Sequence, residues 1–440
     1  MSARALIVSA PRSGSGKTTV TLALLAALVR RGVAVRAAKA GPDFIDPAFH
    51  AAATGATCTN LDSWAMPPPL LDALLAGITE QAELLVIEGV MGLFDGVAAP
   101  PGRAGSTADL AARFHLPVLL VLDVSGQSQS AAAVVRGFAN HHPAVQIAGV
   151  VLNRIGSERH RALVSDAIEA LGIAVLGTLP REDALTIPER HLGLVQASEH
   201  ADLARRLDHL AAAAERHLDL DAILAQAVRL TPIPVSITPV LNPPGQRIAI
   251  AADAAFTFVY PHVLDGWRRA GAEIVTFSPL ANERPPEGCD SCWLPGGYPE
   301  LHAGALAAAR DFQEGLRRFA RTRTIHGECG GYMVLGEGLE DASGTRHAMS
   351  GLLGHSTSFA RRKLHLGYRE ARLVSSSVLG TAGTIVRGHE FHYATLTSGG
   401  TDAPLVELWD GQGRLLGPAG GRRGQVSGTF FHAIAQERRA

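Results

Sequence analysis

Along the first half of the chain, short apolar blocks alternate with longer Ala/Leu-rich stretches. Arg4–Ser9, Val33–Ala38, Leu84–Ile87, Val118–Asp123, Ile147–Leu152 and Ala174–Thr178 read as buried strands. Thr18–Arg31 and Arg159–Leu171 read as helices between them, and a helical stretch from about Glu199 to Val228 closes this half. Continuous apolar strands alternating with helices predict a parallel sheet covered on both faces.

The pattern then breaks. Leu230–Gln246 holds Thr-Pro-Ile-Pro, Thr-Pro and Asn-Pro-Pro-Gly. Proline at this density resists both helix and central strand, so the segment predicts an extended linker between a domain at 1–229 and another at 247–440. A strand is expected from Arg247, a helix over 256–270, and strands at Glu273–Phe277, Ser291–Leu294 and Thr322–Ile325. The second domain therefore also reads as α/β, and the chain as two doubly wound domains.

Composition narrows the class. Hydrophobic residues make up 47% of 440 residues, enough for sizeable cores, and the net charge of −1 argues against a nucleic-acid surface. No apolar run has membrane-spanning length, and the N-terminus runs straight into a strand, so we expect a cytoplasmic protein. Four cysteines are too few for a disulfide framework. Cys289 and Cys292 form a lone C-x-x-C, which reads as two small residues at a strand entrance rather than a metal or redox motif.

The first chemical signal is Ser13-Gly-Ser-Gly-Lys-Thr-Thr, between the Arg4–Ser9 strand and the following helix. Pro11 stands where the usual phosphate-loop pattern has its first glycine. The rest of the pattern is intact. Glycines let backbone N–H groups approach phosphates, a helix N-terminus faces them, and Lys17 reaches the β/γ oxygens. Ser13, Gly14, Ser15, Gly16, Lys17, Thr18 and Thr19 are thus the expected ATP-binding residues, with Thr18 placed to hold Mg²⁺. Asn153, after the Ile147–Leu152 strand, either reads the adenine edge or serves as a turn residue.

Two acidic segments follow strands of the same sheet: Gly41-Pro-Asp-Phe-Ile-Asp-Pro and Glu88-Gly-Val-Met-Gly-Leu-Phe-Asp-Gly. Carboxyl ends of parallel strands are where open α/β sheets bind ligands. Asp43, Asp46, Glu88 and Asp95 are therefore candidates for that edge, with Glu88 the expected second Mg²⁺ group. The competing reading is ordinary Asp/Gly turn chemistry.

The second signal is Gly327-Glu-Cys-Gly-Gly, between the Thr322–Ile325 strand and a helix expected from Tyr332 onward. Small neighbours permit a strained elbow that presents Cys329 as a nucleophile, and a helix N-terminus is expected to lower its thiol pKa. Gly296 and Gly297, in Pro295-Gly-Gly-Tyr-Pro-Glu, are candidate oxyanion donors. His432 is the candidate base. His389 and His392 are read as interface or substrate-facing rather than as metal ligands.

Together these motifs resemble the cobyrinic acid a,c-diamide synthase family, whose close relatives act on hydrogenobyrinic acid. Arg387-Gly-His-Glu-Phe-His-Tyr adds to the likeness, which covers essentially the whole chain. The resemblance implies an N-terminal P-loop domain like dethiobiotin synthetase and a C-terminal glutamine amidotransferase domain. It implies that Cys329 is the glutaminase nucleophile and His432 its base. Many such enzymes place a glutamate two residues after that histidine; here the position is Ile434. Another group must then orient His432, or it acts in a dyad.

The implied reaction is ATP- and glutamine-dependent amidation of the a and c acetates of a corrinoid through acyl phosphates, in cobalamin biosynthesis. Thr18, Asp43 and Glu88 would hold Mg²⁺, and Asp43, Asp46, Glu88 and Asp95 would position substrate and intermediate. We expect a homodimer acting on ATP, glutamine and a corrinoid, with no nucleic-acid or membrane partner. Amidation of another tetrapyrrole, such as a nickel sirohydrochlorin, is the alternative within enzymes. A P-loop ATPase switch or binding module is the alternative outside them, but it leaves the cysteine elbow without a purpose.

Overall fold

The apolar blocks of the first half line up side by side. Among the described residues of this computed structural model (3–80, 82–182, 189–190, 193–194, 196–199, 202–231 and 240–437) they form one sheet. Its strand order is Thr59–Leu61, Val35–Ala40, Leu84–Glu88, Arg4–Ser9, Val118–Asp123, Ile147–Ile155, Val175–Pro180. All of these pair in parallel. Arg4–Ser9 sits in the middle, so the loop after it opens at the point where the strand order reverses. Val228–Arg229, not foreseen as a strand, adds antiparallel to Arg4 and Ala5.

Several boundaries move for identifiable reasons. The second strand is Val35–Ala40 rather than 33–38. Val33 and Gly32 are spent leaving the helix Lys17–Arg30, where their N–H groups bond to the Leu28 and Val29 carbonyls. The strand runs on through Lys39 because that charge is neutralised inside the fold. The long helical stretch divides into Leu203–His217 and Leu220–Gln226. Leu218 bridges to Gly177, and the Asp219 carboxylate caps the second piece by accepting from Ala222 N–H.

The chain divides into compact units at Met1–Ile237 and Thr238–Ala440. The Pro-rich segment read as a linker spans this division, and its residues 232–239 lie outside the described ones.

In the second unit, Glu273–Phe277, Arg247–Ala251, Ser291–Leu294, Thr324–Glu328 and Val426–Thr429 form a parallel sheet in that order. Gly421–Arg423 adds an antiparallel edge. The helix expected over 256–270 is Pro261–Arg269. Pro261 is pre-set for a first helical position, and Phe256 and Phe258 are instead buried ahead of it, with Phe258 N–H bonded to Gly296 O. Cys289 and Cys292 both pack into the core of this unit, with Phe312, Leu316 and Ile325.

The resumed α/β alternation is only part of the second unit. A five-stranded antiparallel sheet follows, in the order Leu415–Ala419, Val406–Asp410, His365–Leu373, Ile385–His392, Phe431–Glu437. Buried and partly exposed residues alternate along Ile385–His392, as expected where one sheet face is packed. Only Phe430 separates the parallel strand Val426–Thr429 from the antiparallel strand Phe431–Glu437. That handover carries His432 to the carboxyl end of Thr324–Glu328, where Ala433 N–H donates to Glu328 Oε1 at 2.8 Å.

Candidate active sites

In the first unit the loop 12–16 passes from strand to helix with Gly14 and Gly16 at positive φ, 75° and 90°. A Cβ on Gly16 would lie 2.1 Å from Asn153 Nδ2, so glycine is required there. Asn153 is part of the strand Ile147–Ile155. Its amide is committed to the loop: Nδ2 donates to Ser15 O at 2.9 Å, and Oδ1 accepts from Arg154 N–H at 3.0 Å. Ser15 Oγ in turn donates to Arg12 O.

Lys17 opens the helix, and its Nζ donates to Met91 O at 2.5 Å, tying the phosphate loop to the 88–96 segment. Burial and the neighbouring Lys39 ammonium bring its pKa down to about 8. The hydroxyl of Thr18 donates to Glu88 Oε1 at 2.7 Å and lies 3.5 Å from Asp46 Oδ2.

The four candidate acids separate into two kinds. Asp46 and Glu88 belong to a buried charged cluster. Lys39 Nζ lies 2.6 Å from Asp46 Oδ2 and 2.9 Å from Glu88 Oε1, and His50 Nε2 lies 2.6 Å from Glu88 Oε2. Cys58 Sγ sits 3.5 Å from the other His50 nitrogen. Burial would push the Glu88 carboxyl up, but Lys39 and His50 together hold it well below the usual range. Asp46 is lifted to about 6 by burial and by Asp43. The other two acids serve their own loops. Asp43 Oδ1 accepts from the Ile45 and Asp46 N–H groups, and Asp95 Oδ2 from Gly92 N–H at 2.7 Å. For these two, the turn chemistry weighed from the sequence is present in the structure.

Lys39 and His50 were not among the sequence candidates. The available signal was a lysine flanked by alanines near the end of the run Val35-Arg-Ala-Ala-Lys-Ala, immediately before the Gly-Pro-Asp turn. A charge in a buried strand is costly unless paired, so a partner had to exist. Arg12 and Arg154 also converge on Asp123, at 3.4 and 2.6 Å, on the other side of the loop.

In the second unit Cys329 has φ 46° and ψ −104°, a conformation that costs a non-glycine residue on the order of 1–3 kcal/mol. The strand Thr324–Glu328 runs directly into it, and the helix Gly330–Leu335 begins at the next residue, earlier than the expected start at Tyr332. Close packing explains the small neighbours. A Cβ on Gly331 would lie 1.9 Å from Leu294 O, and one on Gly330 would lie 2.8 Å from Pro299 and 3.1 Å from Gly297 N. Cys329 N–H is held by Thr429 O at 2.8 Å.

His432 meets this elbow through Gly296. A Cβ on Gly296 would lie 2.2 Å from His432 Cε1 and 3.2 Å from Cys329 Cβ, so the glycine backbone passes against both groups. Gly297, at φ 157°, would place a Cβ 2.2 Å from Ala255 O. The Pro-Gly-Gly turn is therefore packed closely beside Cys329.

The expected lowering of the thiol pKa is overturned. Burial pushes Cys329 up, Glu300, Glu390 and Glu328 add to the effect, and only the Gly330 N–H opposes it. Burial takes the His432 imidazole down to about 3, helped by His389 and His392. The resting pair is thus a neutral thiol beside a neutral imidazole.

His392 is held within the unit. It pairs with Glu390 Oε1 at 2.8 Å, lies 3.0 Å from Ala394 O, and stacks on Phe430 and His365. His389 stands opposite His432 in the strand register and meets Tyr368 edge to face.

Each unit matches a known family. Residues 6–195 match the CobQ/CobB/MinD/ParA nucleotide binding domain, and residues 247–440 match the CobB/CobQ-like glutamine amidotransferase domain. Over its length the chain is 63% identical to a hydrogenobyrinate a,c-diamide synthase of Mesorhizobium japonicum, covering 99% of both. It is 60% identical to that of Agrobacterium fabrum, covering 99% of this chain and all of the relative. It is 54% identical to that of Rhodobacter capsulatus, covering 98% and 99%. Among the described residues no helix is long and apolar enough to cross a membrane. A P-loop unit with a buried acid cluster, a cysteine elbow facing a neutral histidine, and full-length identity at this level together place the chain in the hydrogenobyrinate a,c-diamide synthase family.

Proposed function

We propose that this chain amidates the a and c acetate side chains of hydrogenobyrinate, using ATP and the amide nitrogen of glutamine. The observation that carries this reading is the presence, in one chain, of the Cys329–Gly296–His432 elbow and the Lys17–Thr18–Glu88–Asp46 cluster. Each supports one half of a ligase reaction. The relatives' names point to the cobalt-free macrocycle.

In the glutaminase half, Cys329 Sγ attacks the side-chain amide carbon of glutamine while His432 takes the thiol proton. The Gly296–Gly297 turn donates to the developing oxyanion. His432 returns the proton to the leaving nitrogen, ammonia departs, and water hydrolyses the thioester to glutamate.

In the ligase half, an acetate carboxylate attacks the γ-phosphorus of ATP and ADP leaves. A carboxylate is a poor acyl donor because it would have to expel oxide; its acyl phosphate expels phosphate instead. Ammonia then attacks the acyl carbon and the amide forms. The loop amides, Lys17 and Lys39 neutralise charge on the transferring group. Asn153 keeps the loop in shape through Ser15 O.

The hard oxygen donors Thr18 Oγ1, Asp46 and Glu88 converge with Lys39 on one spot, which fits an Mg²⁺ site. Asp43, whose Oδ1 is spent on its turn, would join through its other oxygen or through water. A bound Mg²⁺ there would supply charge neutralisation and alignment of the phosphates.

The test is product mass spectrometry with hydrogenobyrinic and cobyrinic acids, ATP, and either glutamine or ammonium. Hydrogenobyrinic acid is expected to gain two amides. Cys329→Ser should abolish the glutamine-dependent reaction and spare the ammonium-dependent one. Equal loss of both would sink the division of roles.

A further inference from the structure

We infer that Glu328, the residue immediately before the nucleophile, is the positioning carboxylate for His432. This rests on the glutaminase reading of Cys329 and His432 given above. The common location for such a carboxylate, two residues after the histidine, is occupied by Ile434, a fully buried aliphatic side chain. No carboxylate reaches the imidazole from that position.

Glu328 reaches it from another strand. One of its oxygens, Oε1, is fixed by Ala433 N–H at 2.8 Å. The other, Oε2, faces His432 Nδ1 at 3.8 Å. Glu328 is only 5% exposed, and His432 is completely buried. Fixing one carboxylate oxygen on the backbone next to the histidine aims the second at the ring. Nδ1 is the nitrogen to orient, because Nε2 and Cε1 lie on the Gly296 and Cys329 side. Catalytic hydrogen bonds are often long before substrate binds and tighten in the reacting complex.

The placement also has a chemical consequence. Burial lifts the Glu328 carboxyl to about 8. An imidazolium forming at His432 favours the ionised carboxylate, and the carboxylate favours the imidazolium. Proton transfer from Cys329 therefore creates the charge that Glu328 is placed to answer. Other titratable groups face the same pair: His389, Glu390 and His392 on the strand Ile385–His392, and Glu300, which burial lifts to about 7.

The experiment is steady-state glutamine hydrolysis from pH 6 to 9.5 on the full chain, for wild type, Glu328→Gln, Glu328→Asp, Glu300→Gln and Cys329→Ser. Glutamine at 328 keeps the size of the side chain and can still accept from Ala433 N–H. It is expected to lower kcat by about 10- to 100-fold and to flatten the alkaline rise of the profile, with ammonium-dependent amidation retained. Aspartate keeps the charge and is expected to recover part of kcat. Glu300→Gln is expected to retain the alkaline rise. A Glu328→Gln profile that superimposes on wild type would overturn the assignment, as would a Glu328→Asp enzyme no better than Glu328→Gln. Hydrolysis surviving in Cys329→Ser would instead overturn the underlying glutaminase reading, so the two failures are distinguishable.

Discussion

The ammonium of Lys39 lies 2.9 Å from Glu88 Oε1, the same oxygen that accepts the Thr18 hydroxyl. One carboxylate oxygen thus joins the phosphate-loop helix to the strand Val35–Ala40. Buried charges in such a cluster are tolerated only because each answers another.

Replacing Lys39 removes the cation from between Asp46 and Glu88. Losing one partner of a buried pair costs roughly 3–5 kcal/mol. Lys39→Met should lower the denaturant midpoint of the first unit and remove amidation with glutamine and ammonium alike. Chemical denaturation and both amidation assays check this. Glutaminase activity near wild type is expected, since Cys329 belongs to the other unit.

Glu88→Gln keeps the shape of the cluster and removes its charge. By analogy with other preorganised electrostatic groups, kcat for ammonium-dependent amidation should fall on the order of a hundredfold or more. Asp95→Asn leaves the cluster intact and can still accept from Gly92 N–H, so its loss should be smaller. Measuring the two variants in one assay decides whether the acids divide as the hydrogen bonds do.

Two glycines make opposite predictions. Gly16→Ala would drive a methyl group into Asn153, so ATP binding measured by calorimetry should weaken at least tenfold while glutamine hydrolysis persists. Gly296→Ala would drive one into His432, so glutamine hydrolysis should be lost while ammonium-dependent amidation persists. A variant that lost both activities would contradict the division of labour.

Acid should destabilise the second unit early. His262, His326, His355 and His432 are buried as neutral rings with pKa values brought down to about 3–4. Each binds a proton in the unfolded chain below about 6.5 that the folded state refuses, so its contribution is present above 6.5 and lost as pH falls. Glu328 and Glu300 act oppositely, because burial keeps them protonated in the fold up to about 8 and 7. The histidines outnumber them, so stability should drop between pH 6.5 and 4.5 by up to about 1.4 kcal/mol per pH unit for each net proton. Tryptophan fluorescence can follow it, because Trp267, Trp293 and Trp409 lie in this unit and Trp293 stands 4.6 Å from the His326 ring. A flat midpoint across that window would refute it.

By itself the sequence determined what local patterns encode. Continuous apolar blocks require a parallel sheet buried on both sides, and glycines beside Lys17 and Cys329 require close approaches of backbone. Those signals were enough for two α/β domains, the phosphate loop and the cysteine elbow. What it left open depended on contacts between segments far apart in the chain. The antiparallel sheet holding His432 was missed because pairing across 365–437 is set by long-range register, not by a local period. Four acids looked alike in sequence; the fold gave two to turns and two to a lysine and a histidine. The thiol looked activated by a helix, but burial, which is a property of the whole core, outweighs one short helix. In the sequence, Glu328 stood only as part of the Gly-Glu-Cys-Gly-Gly motif. It became a partner for His432 only when a strand beginning about a hundred residues later was laid beside it, which no spacing along the chain specifies.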